Sequence, residues 1–222
     1  MHATMCDYLA DTVQNSIEAG ASVIDVSLSE EGGVVSVEIR DNGKGMDAAT
    51  LARVWDPFYT EPGKHAKRRV GLGLPLLRQM AEGAEGGVSL ASVKGVGTTL
   101  SYRWQGAHCD APPFGDIPAT LVSLMNYPGG FELNFTHSRG GGASGESSSG
   151  GASGAFSSGG ASGESSAGGG GVASYTISRS ELIEALGGIE TADNILLARD
   201  FIAGQEEELA SAASTNAASA SN

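Results

Sequence analysis

Basic residues are scarce in this chain: 13 Lys and Arg stand against 26 Asp and Glu, a formal net charge of −13 over 222 residues. An acidic surface repels phosphodiester backbones and anionic headgroups, so neither nucleic acid nor a membrane is an expected partner. Cysteine is scarcer still. Cys6 and Cys109 stand far apart and form no Cys-x-x-Cys, which points to neither a disulfide framework nor a zinc site, and both are expected to be passive. His2, His65, His108 and His137 show no metal-ligand spacing. No apolar run is long enough to span a bilayer and no basic leader precedes one, so a cytoplasmic chain with reduced thiols is expected. A Walker motif is also missing, because no glycine-lysine pair is followed by Ser or Thr.

Glycine, in contrast, is abundant, and part of it is repetitive. From Gly141 the chain reads GGASGESSS, GGASGAFSS and GGASGESSA, then four glycines to Gly171. The repeat has no aspartate, so it does not read as a calcium-binding β-roll. Such a segment buries too little apolar surface to offset ordering entropy. Residues 139–171 are expected to be a flexible linker reaching roughly 30 Å for about 30 residues. The tail from 211 to 222 reads as disordered by the same reasoning.

Elsewhere periodicity specifies elements. Leu9, Val13 and Ile17 recur every fourth residue and predict a helix over 3–19, with Asp11, Asn15 and Glu18 on another face. Val23–Leu28 and Val34–Arg40 alternate around Glu31-Gly32-Gly33 and predict a β-hairpin. A helix is expected over 47–55 and another from near Pro75 to about Glu82. Val88–Ser92 and Thr98–Trp104 predict a second hairpin. The order helix, two strands, helix, loop, helix, two strands suits one mixed sheet covered by helices on one face, an α+β two-layer sandwich.

Beyond Gln105 the pattern changes. Asp116 with Pro118 predicts a capped helix, residues 131–135 and 173–177 alternate as two strands, Ser178 with Glu181 forms a capping box, and a last helix runs from Thr191 to about Ala210. The repeat then falls at the tip of a hairpin, where insertions are tolerated. The expected organisation is a domain over 1–105, a small C-terminal αββα extension over 106–138 and 172–210, and the linker at 139–171 within the hairpin.

Several short motifs suggest a nucleotide site. Asp41 ends an alternating strand, where its carboxylate can accept a charge-assisted hydrogen bond from the amino group of adenine. Gly43 and Gly45 let the backbone approach a base, although Asp-Asn-Gly alone is also good turn chemistry. Gly71-Leu72-Gly73-Leu74 precedes a helix, where free N–H groups can face phosphate. Asn15 is unfavourable in mid-helix unless its side chain is used, and its amide oxygen suits Mg²⁺. Asp11, one turn earlier, can serve as a base for water or lie on a solvated face. Lys64, Lys67, Arg68 and Arg69 form a basic cluster that reads as a lid over phosphate or as a solvated loop, with Trp55, Phe58 and Tyr59 at its base.

Asp11 to Asn15, Asp41-Asn42-Gly43-Lys44-Gly45, Asp56-Pro57-Phe58, Gly71-Leu72-Gly73-Leu74 and Gly97-Thr98-Thr99, in this order over residues 3–104, resemble the GHKL superfamily of gyrase, heat-shock chaperone, histidine kinase and mismatch-repair ATPases. The resemblance implies the Bergerat, or histidine kinase-like ATPase, fold with ATP and Mg²⁺ as ligands. It implies ATP contacts from Asn15, Asp41, Gly43, Gly45, Met46, Lys64, Arg69, Gly71, Leu72, Gly73, Leu74 and Thr98, with Mg²⁺ on Asn15. Where mismatch-repair and chaperone members carry glutamate, this chain has the shorter Asp11. The parts beyond residue 105 look like the extension of small stand-alone ATPase-domain proteins of anaerobic bacteria, some encoded near iron-hydrogenase genes. Only ten residues precede Asp11 and no histidine is followed by an acidic residue, so ordinary self-phosphorylation is not expected. The resemblance then implies a histidine kinase-type domain in signal transduction that transfers phosphate to a separate protein or hydrolyses ATP. The alternative is a nucleotide-sensing interaction module without turnover. Members of the superfamily usually work as dimers, which makes a homodimer a further expectation.

Overall fold

Alternation within the strands decides which way the sheet faces. Ile24, Val26 and Leu28 on β1 (Val23–Glu31) are buried, as are Val35, Val37 and Ile39 on β2 (Val34–Asp41). Leu100, Tyr102 and Trp104 on β4 (Gly97–Gln105) and Leu133 and Phe135 on β5 (Glu132–Gly140) continue the same layer. Each buried aliphatic or aromatic side chain contributes about 1.5–3 kcal/mol. The opposite face is polar and is held by cross-strand pairs: Asn134 donates to Asp25 at 2.8 Å, and Ser101 to Glu38 at 3.1 Å.

The computed structural model describes residues 3–57, 73–140 and 172–220. Besides the strands above it contains α1 (Met5–Glu18), α2 (Ala48–Arg53), α3 (Gly73–Gly83), β3 (Gly87–Val93), α4 (Ile117–Met125), β6 (Val172–Ser178), α5 (Arg179–Leu186) and α6 (Ala192–Ala220). The strands form one six-stranded sheet in the order β3-β4-β2-β1-β5-β6. β1 and β5 are parallel and every other pair is antiparallel. The fold is therefore α+β with a mixed sheet. α1 buries Met5, Cys6, Leu9, Thr12, Val13 and Ser16, and α3 buries Leu77 and Ala81.

Both hairpins occur where alternation predicts them. Asp116 caps α4 by accepting from Ala119 N–H at 2.9 Å, and Ser178 caps α5 by accepting from Glu181 N–H at 3.3 Å. Gly187 then ends α5 with a φ of 69°. β5 and β6 pair antiparallel to the Gly140–Val172 rung, so residues 141–171 connect the two strands of a hairpin. Because β5 lies directly beside β1, the sheet runs without a break from the first 105 residues into the later ones.

Two expectations are corrected. The linker expected over 139–171 includes Arg139, but this residue lies in β5 and its guanidinium pairs with Glu30, which draws it into the sheet. Disorder is expected after Ala210, yet α6 continues to Ala220. Low complexity hides the reason, because alanine is the strongest helix former and dominates that segment. The basic cluster with Lys64 and Arg69, the pair Gly71 and Leu72, Phe58, Tyr59 and the repeat from Gly141 lie outside the described residues.

Candidate functional site

The end of β2 is where the short motifs converge. Ser16, buried on α1, donates to Asp41 Oδ2 at 2.9 Å, and the Gly43 N–H donates to Asp41 Oδ1 at 2.9 Å. Both oxygens of the carboxylate are thus fixed by the protein, one by a helix and one by the following turn. An ionised carboxylate has about four acceptor positions, so these two bonds leave capacity for a ligand. Asn42 faces away from this carboxylate. Its Oδ1 accepts from the N–H groups of Ser22 and Val23 at 2.9 and 3.0 Å, and its Nδ2 donates to Ser22 Oγ at 2.9 Å. The residue staples the loop to the start of β1.

The turn after Asp41 is also tied to the β3–β4 hairpin. Gly95 N–H donates to the Lys44 carbonyl at 2.7 Å, and Met46 N–H to Ser92 Oγ at 2.8 Å. Ser92 Oγ lies 2.9 Å from Thr98 Oγ1 and donates to the Gly97 carbonyl at 3.1 Å. Thr98 is the cross-strand partner of Asp41. Gly45, at a φ of 58°, lies so close to β3 that a Cβ would sit 2.1 Å from the Val93 carbonyl oxygen. Asp47 caps α2 by accepting from Thr50 N–H, which holds its carboxyl below the ordinary carboxylate range.

Asp11 and Asn15 lie on the half-buried side of α1. Gly73, at the start of α3, packs against Asp11 so closely that a Cβ there would lie 2.1 Å from Asp11 Oδ2. Leu74 packs against the core. The structure therefore brings Asp41, Gly43, Gly45, Met46 and Thr98 together at the end of β2 and sets Asp11 against Gly73, with Asn15 one turn along α1 from Asp11 and Leu74 beside Gly73. Trp55 takes the Arg78 guanidinium over its ring at 5.7 Å, while Asp56 and Pro57 are exposed.

Ser16 and Ser92 belong to the site without a sequence signal of their own. Their residue types are common on helices, strands and turns, and only their partners mark them. The clue in Ser16 is a hydroxyl buried in mid-helix directly after Asn15.

The family described as "Histidine kinase-, DNA gyrase B-, and HSP90-like ATPase" matches residues 5–107. The heme sensor protein HssS of Staphylococcus saprophyticus subsp. saprophyticus is 30% identical over 105 residues, 47% of this chain and 22% of that protein. A putative sensor protein of Shewanella frigidimarina is 33% identical over 97 residues, 41% of this chain and 14% of that one. The sensor histidine kinase ZraS of Escherichia coli K12 is 33% identical over 79 residues, 36% of this chain and 16% of that one. The chain thus spans about a fifth or less of the length of these relatives. In shape, the N-terminal domain of a DNA repair protein is similar at a TM-score of 0.43 and 17% identity, over 63% of this chain and 50% of that one, too distant to carry an inference.

The mixed sheet, its helical cover and the matched motifs define a Bergerat-type ATPase fold. Residues 5–107 are a histidine kinase-like ATPase domain of the GHKL group, and such a domain implies ATP binding. Among the described residues, no helix is long and apolar enough to cross a membrane.

Proposed function

We propose that Asp41 receives the adenine of ATP and that Asn15 holds the Mg²⁺ that accompanies its phosphates. The carrying observation is the Asp41 carboxylate, pinned by Ser16 and Gly43 at the meeting point of α1, the 41–47 turn and the first residues of β4. That arrangement fits an adenine amino group: an ordered, half-buried carboxylate with acceptor capacity left over. Thr98, fixed by Ser92, supports the adenine contact, and Gly43, Gly45 and Met46 border the base. Gly71, Leu72, Gly73 and Leu74 border the phosphates at the start of α3, with Lys64 and Arg69 as further phosphate contacts. Bound Mg-ATP supplies a transferable phosphoryl group whose charge the metal offsets.

In this reading Asp11 accepts the proton of the attacking water or hydroxyl. The acceptor is water or a side chain of a separate protein in signal transduction. A homodimer and a cytoplasmic location complete the proposal.

A sensing role without turnover has its own support. Gln14, next to Asn15, donates to the Tyr127 hydroxyl at 3.3 Å, so α1 touches the C-terminal part directly. Ligand binding beside Asn15 can bias that contact.

γ-Labelled ATP with Mg²⁺ separates the two. Asp11→Asn is expected to reduce phosphate release or transfer by about 100- to 10,000-fold, the worth of a general base, with ATP affinity retained. Release unchanged in the variant would rule out Asp11 as the base. Binding without release or label by the wild-type chain, with candidate partner proteins present, would favour the sensor.

A further inference from the structure

We propose a second metal site, for a borderline-soft divalent transition ion of the Zn²⁺ class, at His108, Cys109 and Asp110. Each of the three offers one ligand atom, and these atoms lie within 4.8 Å of one another. Cys109 Sγ is 4.0 Å from His108 Nδ1. Zinc–sulfur and zinc–nitrogen bonds of about 2.3 and 2.0 Å at a tetrahedral angle require a separation of about 3.5 Å. Closing that gap takes about half an ångström, which the exposed Cys109 side chain can supply beside the half-buried His108.

The histidine is already in the required tautomer. Asp110 N–H donates to His108 Nδ1 at 3.1 Å, so Nδ1 is the unprotonated nitrogen and Nε2 carries the proton. Nε2 faces Glu85 Oε1 at 3.9 Å. A carboxylate hydrogen-bonded to the second nitrogen of a ligating histidine is the usual outer shell of a zinc site, and the exposed Glu85 side chain has about 1 Å to close to reach hydrogen-bond distance. An ion at Nδ1 displaces only the Asp110 N–H, which is exposed and can turn to water.

The turn that carries the three residues is itself fixed. His108 N–H donates to the Gln105 carbonyl at 3.1 Å, and Ala111 N–H to the His108 carbonyl at 3.0 Å. Three protein ligands leave the fourth position to water, which makes the site exchangeable. Imidazole with thiolate selects against Mg²⁺ and Ca²⁺, which prefer oxygen. The site is also remote from the proposed adenine contact at Thr98. Thr98 and Gln105 are separated along β4 by about 23 Å at 3.3 Å per residue. It sits where the ATPase domain passes into the C-terminal part, so an ion there ties down that connection. Spacing rules overlook such a site because its three ligands are consecutive.

Binding breaks the Cys109 Sγ–H bond, forms a sulfur–metal bond and releases the proton to solvent, so affinity rises with pH. The test is titration of the reduced, metal-stripped full chain with Co²⁺, followed by absorption. A thiolate-to-cobalt charge-transfer band with tetrahedral d–d bands is expected, and addition of Zn²⁺ should abolish both. Cys109→Ser should remove the charge-transfer band, and His108→Ala should remove the tetrahedral spectrum. Glu85→Gln, which touches no metal, should weaken Co²⁺ binding by about 10- to 100-fold. Absence of the band in the wild-type chain, or its persistence in Cys109→Ser, would overturn the proposal.

Discussion

Gly97→Ala is expected to destabilise the fold by at least about 3 kcal/mol, lowering Tm by roughly 6–12 °C for a chain of this size. Two effects combine at this residue. Its φ of 143° disfavours any side chain, and an added Cβ would lie 1.9 Å from the Asp41 carbonyl oxygen and 3.0 Å from Asn42 Cα. The obstruction is backbone on a neighbouring strand, so no rotamer relieves it. β4 would have to separate from β2 at the rung that pairs Asp41 with Thr98, and the proposed ATP site would be lost with it. Gly95 supplies the control. Its φ is 79°, but a Cβ there meets nothing within 4 Å. Gly95→Ala should therefore cost only about 1–2 kcal/mol, the penalty of a left-handed backbone. Thermal denaturation of the two variants checks this; equal losses would show that the close approach of Gly97 carries no weight.

His137→Ala should have an effect of similar size and should also change the pH profile. The imidazole is fully buried, with Nδ1 2.9 Å from Glu206 and Nε2 3.0 Å from Glu30. Arg139 on β5 also pairs with Glu30, and the Tyr175 hydroxyl on β6 donates to Glu206. The network thus joins β1, β5, β6 and α6. Burial opposes the charge on His137, but the hydrogen bonds to Glu206 and Glu30 outweigh it and raise the pKa above the usual 6.5. For both glutamates burial acts upward, yet the bonds from His137 and its neighbours prevail and lower them below 4.5. The folded chain binds the histidine proton more tightly than the unfolded one. That contribution is complete below about pH 6.5 and fades as pH rises through the folded value. The glutamate contributions are complete above about pH 4.5 and fade as pH falls through their lowered values. The network therefore stabilises most between about pH 4.5 and 6.5. Removing the imidazole leaves two part-buried carboxylates short of a partner, a loss of about 3–5 kcal/mol. Denaturant unfolding near pH 6 and near pH 9 should show wild-type stability declining toward alkaline pH, and a flatter profile in His137→Ala. Equal declines in both would mean that His137 is not the group that titrates.

How much of the fold and site is legible in the sequence depends on how local each signal is. Both early hairpins follow from alternation and turn glycines, and the order of the motifs points to an ATPase domain of the matched family. The parallel pairing of β1 with β5 is not legible, because it joins residues about 110 apart and no local pattern encodes it. Arg139 looks like the start of a linker beside glycine, while its partner Glu30 lies on another strand. His137 reads as an ordinary surface or core histidine for the same reason. The last turns of α6 are hidden when composition is read where helix propensity decides. Ser16 shows the general limit: its importance lies in a bond to Asp41, and a residue type does not announce its partner.

The most direct test of the account is calorimetric titration of the full chain and of Asp41→Asn with Mg-ATP, each checked for intact folding by circular dichroism. A hydrogen bond to a charged group is worth about 1.5–3 kcal/mol, so the dissociation constant should rise by roughly 10- to 150-fold. An unchanged dissociation constant in a folded Asp41→Asn variant would contradict the assignment of Asp41 to adenine, and with it the site proposed at the end of β2.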